Sequence, residues 1–411
     1  MKFFYQIATE LYFLIVRIVA LWNPKAKLFI EGRKEAIEKL KSFLPNENTY
    51  WFHCASLGEF EQARPLIESI KIKDNNCKIV ITFFSPSGYE IRKNYELADL
   101  ILYLPKDSKS NANLLLNSIQ PTKIFFIKYE FWANYLLEAN RRKIPTYLVS
   151  GVFRKNQLFF KWYGGFMRSI LTSFTDIYLQ NQESQDLLNL INVNSIVTGD
   201  TRFDRVMQNA EKVKKFPLIE EFVSQTNCVV IGSCWAEDEA IIFPTLNKSK
   251  NLKIIIAPHE INESHLKSIE SALLKKSIRY SKLIEINEST DSKTIEPIGI
   301  GFDVLIIDNI GMLMHLYQYA NIAYVGGAFG KGLHNILEPA SFGVPVIFGN
   351  NYSKFPEAYQ FLDNQVGFCI HDENEFEIIF NQLFKSNYSA NVLSFMNSQK
   401  GATEMILNDI F

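Results

Sequence analysis

Residues 325–349 combine glycines, a histidine and a glutamate in a pattern that suits nucleotide binding. The glycines lie between a predicted strand and a helix that we expect to begin near His334. Glycine lets backbone N–H groups approach an anion, and a helix N-terminus adds partial positive charge. Glu338 would lie one turn further on the same face, where its carboxylate can accept hydrogen bonds from a ribose diol. The alternative is an ordinary strand-loop-helix joint, because glycine-rich loops are common.

The elements that would position these residues repeat along the whole chain. Continuous apolar runs, including one at 282–286, alternate with amphipathic segments, which predicts parallel sheets covered by helices on both faces. The pattern restarts after a charged connector at 204–222. We therefore expect two doubly wound Rossmann-like α/β domains, over 23–205 and 206–388, and a C-terminal helix at 389–411 that packs back toward the first. Ligands bind beyond the carboxyl ends of such strands, so the two domains should face a central cleft.

Composition excludes several classes of protein. Lys and Arg number 43 against 44 Asp and Glu, which gives no case for nucleic-acid binding. A chain of 411 residues that is 47% hydrophobic and 21% charged suits two globular domains. Its five cysteines form neither CxxC pairs nor zinc spacings, which argues against a disulfide framework and favours a reducing, cytoplasmic setting.

Residues 1–22 are strongly apolar, but charged residues interrupt the run. The uninterrupted part is shorter than the ~20 residues that a spanning helix needs, and no small-residue cleavage site follows. We expect a retained anchor helix in the membrane interface, with Lys25, Lys27 and Arg33 near anionic headgroups. A helix packed on its own domain and a single membrane span are the alternatives.

Ordered motifs along nearly the whole chain resemble those of the 3-deoxy-D-manno-octulosonate (Kdo) transferases. Residues 51–59 are similar to the family's W-x-H-x-x-S-x-G-E, and residues 129–134 are similar to its E-x-E-x-W-P-N. Residues 198–204 resemble T-G-N-x-K-F-D, and residues 326–339 resemble G-G-S…G-G-H-N-x-x-E-P. Lys128, Ala133 and Trp235 depart from the family pattern.

The resemblance implies the GT-B architecture and transfer of Kdo from CMP-Kdo to the lipid A precursor, with inversion, at the cytoplasmic face of the inner membrane. We expect no cofactor. We also expect no metal, because no DxD-like carboxylate pair is placed to hold one. Three alternatives stay open: a UDP-sugar-dependent cell-wall glycosyltransferase, a nucleotide-sugar 2-epimerase, and a membrane-tethered nucleotide-sugar-binding protein.

Glu59 is the candidate general base, because a positioned carboxylate can take the proton of an acceptor hydroxyl. The family's Glu at this position is its proposed base. Alternatively, Glu59 only interacts with the first turn of its own helix. Glu130 is expected to organise the pocket, or else to be a buried partner of Lys128 or Arg202. The acceptor pocket is expected to contain Ser56, Gly58, Glu130 and Arg202.

Residues 153–163 mix basic and aromatic side chains. Arg154, Lys155 and Lys161 could bind lipid phosphates while the aromatic rings meet acyl chains; a core helix with ordinary surface lysines is the alternative. His259 is expected either to line the cytidine site or, equally, to be an exposed loop residue. The residues expected to bind CMP-Kdo are Ser233, Pro258, His259, Gly326, Gly327, Gly332, His334, Asn335 and Glu338.

Overall fold

The structure is a computed structural model that describes residues 2–289 and 301–411. The chain divides into two compact units. Unit 1 comprises Met1–Arg205 and Gln399–Phe411, and unit 2 comprises Val206–Ser398. Each unit contains a seven-stranded sheet in which the paired strands are parallel, so the predicted α/β class is confirmed.

The strands of the described residues are β1 Thr49–Cys54, β2 Lys78–Phe83, β3 Leu100–Tyr103, β4 Lys123–Ile127, β5 Thr146–Gly151, β6 Asp176–Leu179, β7 Ile196–Val197, β8 Asn227–Cys234, β9 Leu252–Pro258, β10 Ser277–Arg279, β11 Val304–Ile306, β12 Ile322–Val325, β13 Val346–Gly349 and β14 Gly367–Ile370. The α-helices of the same residues are α1 Lys2–Val19, α2 Pro24–Ser42, α3 Leu57–Lys73, α4 Pro86–Arg92, α5 Lys109–Ile119, α6 Ala133–Arg141, α7 Gly165–Leu171, α8 Gln182–Asn189, α9 Thr201–Glu211, α10 Pro217–Val223, α11 Ala236–Lys248, α12 Glu263–Ala272, α13 Tyr280–Ser289, α14 Leu313–Leu316, α15 Leu337–Ala340, α16 Pro356–Asp363, α17 Glu373–Leu383, α18 Ser389–Ser398 and α19 Ala402–Ile410.

Strand order places a switch point in the middle of each sheet. Unit 1 has the order β3-β2-β1-β4-β5-β6-β7, so the order reverses between β1 and β4. Unit 2 has the order β10-β11-β9-β8-β12-β13-β14, and its reversal lies between β8 and β12. Crevices at such points are the usual ligand sites of doubly wound sheets.

The central strands are buried on both faces, which is why their sequences read as continuous apolar runs. In β1 all six residues are buried, and the Phe52 ring stacks on Phe125 of β4 with centroids 4.5 Å apart. Separate apolar clusters cover the two faces of each sheet. Polar side chains are therefore concentrated where strands end.

Helix α1 packs on unit 1 through one face only. Phe13 is buried, and the Tyr5 hydroxyl donates to Asp107 Oδ2 at 2.6 Å. Its other face leaves large apolar side chains exposed. Among the described residues, no helix is long and apolar enough to cross a membrane. Arg33 lies beneath this helix rather than on the surface, since it is only 6% exposed, and its expected contact with headgroups stays a prediction.

Two predicted elements differ from the structure. Residues 282–286 belong to helix α13, because Tyr280 and Leu283 are buried at helical spacing rather than at the alternation of a strand. The segment 389–411 contains two helices, since Gly401 adopts φ 106° between α18 and α19. Helix α19 belongs to unit 1, where Asp204 accepts the amides of Gly401 and Thr403 at 2.7 Å each.

Candidate active site

In unit 1, a chain of hydrogen bonds joins the ends of β1, β2 and the loop after β4. His53 of β1 is fully buried opposite Thr82 of β2. The three contacts given next fit a His53 ring that carries its proton on Nε2, and we assign that tautomer. Trp51 Nε1 donates to Thr82 Oγ1 at 2.9 Å, and that hydroxyl donates to His53 Nδ1 at 2.8 Å. His53 Nε2 then donates to Glu130 Oε2 at 3.0 Å.

Glu130 is held by a second donor as well. The indole Nε1 of Trp132 lies 2.5 Å from Glu130 Oε2 and donates to it. The Trp132 ring stacks on Phe84 with centroids 4.8 Å apart, so the loops after β2 and β4 are packed together. Glu130 is only 9% exposed, and its carboxylate is consequently oriented by buried neighbours. We call His53, Thr82, Glu130 and Trp132 the β1–β4 network.

Glu59 lies in the first turn of α3, where the chain leaves β1. Ser56 and Glu59 form a capping box: the Ser56 amide donates to Glu59 Oε2 at 3.1 Å, and the Ser56 hydroxyl makes a short hydrogen bond to the same oxygen. Gly58 is exposed, and a side chain there would meet only the Ser56 hydroxyl within 4 Å. There is therefore room for a substrate beside Glu59. Glu59 also contacts the start of its own helix through Ser56.

Cys54 shows that Glu59 and Glu130 belong to one neighbourhood. Burial, followed by the charges of Glu59 and Glu130, raises the pKa of the Cys54 thiol well above its usual range. The thiol is therefore neutral at physiological pH and does not act as a nucleophile there.

The other predicted acceptor residues surround this neighbourhood to different degrees. Arg202 donates to Asp200 Oδ2 through Nε and Nη2, at 2.9 and 2.7 Å. Burial works to raise the pKa of Asp200, but Arg202 outweighs it and holds that pKa below its usual range. Arg154 donates to the Tyr129 hydroxyl at 3.4 Å, beside the loop that carries Glu130. Lys155 is exposed, and Lys161 is half-buried at the end of a short 3₁₀ helix.

In unit 2, three aromatic rings stack beyond the ends of β8, β9 and β12. The His259 ring stacks with both the Trp235 ring and the His334 ring, with centroid distances of 4.4 and 4.6 Å. Trp235 Nε1 donates to His334 Nε2 at 3.2 Å, and Lys331 Nζ lies 3.7 Å from the Trp235 ring centroid. We call Trp235, His259 and His334 the aromatic ladder.

Both histidines of the ladder are held neutral. Burial, followed by the neighbouring His259, lowers the pKa of His334 to about 4. Burial is also the main reason that the pKa of His259 is lowered, and Lys331 lowers it further. At neutral pH the positive charge beside the ladder therefore comes from Lys331 rather than from a histidine.

The glycine loop uses its amides differently from the sequence-based expectation. Gly327 donates to Asp238 Oδ2 at 2.9 Å, Gly330 and Gly332 both donate to the Gly327 carbonyl, and His334 donates to the Gly326 carbonyl. These amides are thus occupied within unit 2 rather than presented to a phosphate. The glycines serve close packing: a side chain at Gly326 would lie 2.6 Å from Cys234 Cα, and Gly327 and Gly332 adopt φ 91° and 122°.

The helix expected at His334 begins later. Helix α15 spans only Leu337–Ala340, and Asn335 accepts the Leu337 amide at 3.1 Å. Because His334 precedes this helix, the expected one-turn relation between His334 and Glu338 is wrong, whereas the phosphate site at the helix start stays a prediction. Glu338 Oε1 accepts from Asn335 Nδ2 at 2.9 Å, and its charge contributes after burial to the raised pKa of Tyr317.

The remaining donor residues lie at the same end of the sheet. Ser233 adopts φ 53°, at a register shift where β8 passes β9. Pro258 ends β9 and is buried, whereas His259 is exposed at its edge. Among the residues described by the structure, no group of three or more His, Cys, Asp or Glu side chains is arranged to hold a metal.

Sequence reasoning missed four side chains that organise these sites. His53, Thr82 and Trp132 lie within or beside the quoted motifs, so their position after strands was a usable signal. Asp238 lies on α11 and binds Tyr324, Gly327 and the amide of Trp235. Its contact with the Trp235 amide is a local helix cap, but no local pattern marks its contacts with Tyr324 and Gly327, which lie in β12 and just after it.

Known proteins resemble this chain in sequence and in fold. The family described as 3-deoxy-D-manno-octulosonic-acid transferase (kdotransferase) matches residues 31–205. A bifunctional glycosyltransferase/methyltransferase of Fusobacterium nucleatum is 26% identical over 375 residues, which cover 87% of this chain. The chain spans only 56% of that relative's length. The 3-deoxy-D-manno-octulosonic acid transferase of Aquifex aeolicus is 26% identical over 353 residues, 82% of this chain and 88% of the relative.

A solved structure supports the fold alone. The UDP-GlcNAc 2-epimerase from Neisseria meningitidis, bound to UDP-GlcNAc, superimposes with a TM-score of 0.61 at 16% identity. The match covers 88% of this chain and 99% of the epimerase. At this identity the likeness carries no information about the reaction.

The two parallel sheets and the matched domain place the chain among the glycosyltransferases. Within that class, the chain is similar to the 3-deoxy-D-manno-octulosonic acid transferases, through residues 31–205 and through relatives that are 26–27% identical over most of the chain.

The ladder predicts a pH dependence of stability. Because the pKa of His334 is about 4 in the folded protein and 6.5 ordinarily, the unfolded chain binds more protons across that range. Unfolding free energy should therefore fall as the pH drops from 6.5 toward 4. His334→Gln removes the titration and keeps an acceptor for Trp235. We expect this variant to lose less stability between pH 7 and pH 5, by on the order of 1 kcal/mol after allowance for solvent screening.

Urea unfolding at both pH values measures this difference. His371→Gln, at an exposed histidine of unit 2, is the control and should behave as wild type. An unchanged pH dependence in His334→Gln would contradict the assignment of a buried, neutral His334.

Proposed function

We propose that this protein transfers Kdo from CMP-Kdo to the lipid A precursor, a tetraacyldisaccharide bisphosphate, in lipopolysaccharide core biosynthesis. The observation that supports this most directly is the family match over residues 31–205, which contain Glu59 and the β1–β4 network. Curated Kdo transferases from several bacteria are 25–27% identical over most of the chain.

Glu59 acts as general base in this proposal. Its two hydrogen bonds to Ser56 both fall on Oε2, which leaves the second carboxylate oxygen to accept the proton of the acceptor hydroxyl. The acceptor oxygen then bonds to the anomeric carbon of Kdo as the bond to the CMP phosphate breaks. CMP departs with the electron pair, and a single displacement inverts the anomeric centre.

The β1–β4 network would orient the acceptor rather than take its proton. Glu130 Oε2 already accepts from His53 and Trp132, so its negative charge is fixed in direction. A rigid carboxylate of this kind can receive a hydrogen bond from a second sugar hydroxyl and position the reacting one. Arg154 and Lys155, beside the same loop, would meet the acceptor phosphates.

Donor binding would fall to unit 2. The aromatic ladder offers an apolar, uncharged wall for cytosine, and Lys331 supplies the cation for the phosphate. Glu338, hydrogen-bonded to Asn335, would receive the ribose hydroxyls. This assignment replaces the amide cradle expected from the glycines.

Membrane association would use the exposed face of α1, at the cytoplasmic surface of the inner membrane. The Tyr5 ring lies 5.8 Å from Phe166 of α7, and Trp162 just before α7 is 92% exposed. A helix with one packed and one apolar face suits insertion into an interface. The exposed apolar residues of this end of the chain are Phe3, Phe4, Ile7, Leu11, Leu14, Ile15, Ile18, Leu21 and Trp22.

The deciding assay incubates the purified protein with CMP-Kdo and the tetraacyldisaccharide bisphosphate and follows the lipid by mass spectrometry. We expect the mass of one or more Kdo units to be added, with release of CMP. UDP-GlcNAc and other UDP-sugars are tested in parallel. Turnover of a UDP-sugar without any Kdo adduct would refute the proposal in favour of a UDP-sugar enzyme.

Glu59→Gln should lower the transfer rate by roughly 10²–10⁴-fold, because the amide cannot accept the proton. The affinity for CMP, measured by calorimetry, should stay within about twofold, since the donor lies in unit 2. Glu61→Gln is a matched control on the same helix, where Glu61 pairs with Arg92. Near-normal turnover of Glu59→Gln would remove Glu59 as the base.

The triple variant Phe4→Ser/Leu11→Ser/Leu14→Ser should weaken vesicle binding by roughly tenfold or more, because it removes exposed apolar area without touching Phe13. Its circular dichroism should match wild type. The control Leu274→Ser/Ile310→Ser/Ile378→Ser changes equally exposed residues of unit 2. Equal losses in both triple variants, or none in the first, would argue against α1 as the membrane contact.

A further inference from the structure

A pocket of about 290 Å³ lies in unit 1 between α1, α2 and the first turn of α5. It shares no lining residue with the β1–β4 network or with the aromatic ladder. Four cationic side chains and two hydroxyls lie among apolar residues in its wall, and the lining contains no acidic residue. These six residues are Arg17, Arg33, Lys34, Lys106, Ser108 and Ser110.

Arg33 gives this pocket a buried positive charge that no carboxylate neutralises in the described residues. Its Nη1 and Nη2 donate to the carbonyls of Phe29 and Phe84 at 2.9 and 2.8 Å, and its guanidinium lies 3.4 Å from the Phe29 ring centroid. Its Nε is buried without any acceptor. Burial lowers the pKa of Arg33 only to about 9, so the group stays charged at neutral pH. An anion in the pocket would offset that charge.

The end of α5 adds a second feature that favours an anion. This helix has eleven residues, and its first turn carries no acidic side chain. Ser108 caps it by accepting the Asn111 amide at 3.3 Å, and Ser110 is exposed beside it. Backbone N–H groups at such a helix start attract phosphate oxygens.

The surrounding charges leave the pocket basic. Lys106 pairs with Glu10 of α1. Among the described ion pairs, this is the only one that a lining cation makes. Arg17 and Lys34 are both exposed and make no ion pair among the described residues. Two exposed cations and the buried Arg33 thus meet at a space large enough for a headgroup but too small for a whole lipid.

We propose that this pocket binds the phosphate of an anionic glycerophospholipid headgroup. Phe13 and Arg17, which line it, belong to the helix whose outer face is apolar and exposed. A phosphate in the pocket would therefore sit at headgroup depth while the acyl chains follow Leu14, Ile18 and Trp22. The bound lipid is neither donor nor acceptor, so the inference does not rest on the sugar-transfer reaction and goes beyond it.

The test uses dihexanoyl-phosphatidylglycerol below its micelle concentration, with inorganic phosphate as a second titrant, and full-length protein in calorimetry. The phospholipid should bind at least tenfold more tightly than inorganic phosphate. Arg17→Gln/Lys34→Gln should weaken phospholipid binding roughly fivefold per residue removed. Equal affinity for the two titrants would assign the pocket to free phosphate and overturn the lipid proposal.

Ser110→Asp is the sharpest variant. A carboxylate in the first turn favours the helix, so folding should be retained, but it places a negative charge where the phosphate would bind. We expect it to abolish phospholipid binding, whereas the neutral Ser110→Asn and the matched Ser264→Asp, in the first turn of α12, bind as wild type. The charge control Lys41→Gln/Lys93→Gln removes two cations outside the pocket.

Wild-type binding by Ser110→Asp would overturn the proposal. Equal losses in the Arg17/Lys34 and Lys41/Lys93 variants would do the same, because they would indicate general charge attraction. Neither result bears on Kdo transfer, which the mass-spectrometric assay measures independently.

Discussion

The burial of the central strands on both faces is the constraint on which the rest of this protein depends. A strand such as β1, with all six residues buried, can carry few polar groups, and each must find a partner inside the protein. His53 meets this requirement through Thr82, which lies in β2, and through Glu130, which lies in the loop after β4. The buried polar chain that satisfies the core thus also orients a carboxylate at the strand ends, where a substrate can reach it.

The two units share one strand topology, but the side chains at their switch points differ in chemistry. At the switch point of unit 1, charged and hydrogen-bonding groups converge: Glu59, Glu130 and the buried His53. At the switch point of unit 2, the rings of the aromatic ladder stack. Burial holds the pKa of His334 near 4, so its ring is neutral at physiological pH. These surroundings suit the polar acceptor site and the mostly neutral donor site that we propose. The likeness to epimerase structures reflects the shared sheets and not these side chains.

Helix α1 shows how one element can serve a core and a surface together. Its inner face supplies Tyr5 and Phe13, and Tyr12 stacks on Phe84, which in turn stacks on Trp132 of the β1–β4 network. Its outer face leaves apolar side chains in solvent. Arg33 lies beneath it, linking Phe84 to the basic pocket through a hydrogen bond to the Phe84 carbonyl. Helix α1 and the loop that carries Glu130 are therefore parts of one packed layer.

The amino-acid sequence alone determined the α/β class, most of the strands, the resemblance to the Kdo transferases and the position of the candidate carboxylates. Long apolar runs and motifs after strands are local signals, so they can be recognised in the sequence without a structure. The tertiary structure decided what those residues do. It showed that the amides of Gly327, Gly330 and Gly332 are already occupied, that His334 precedes its helix, and that Arg33 is buried. Each of these depends on partners distant in sequence, such as Asp238 for Gly327 and Phe84 for Arg33, and only packing brings such partners within hydrogen-bonding distance.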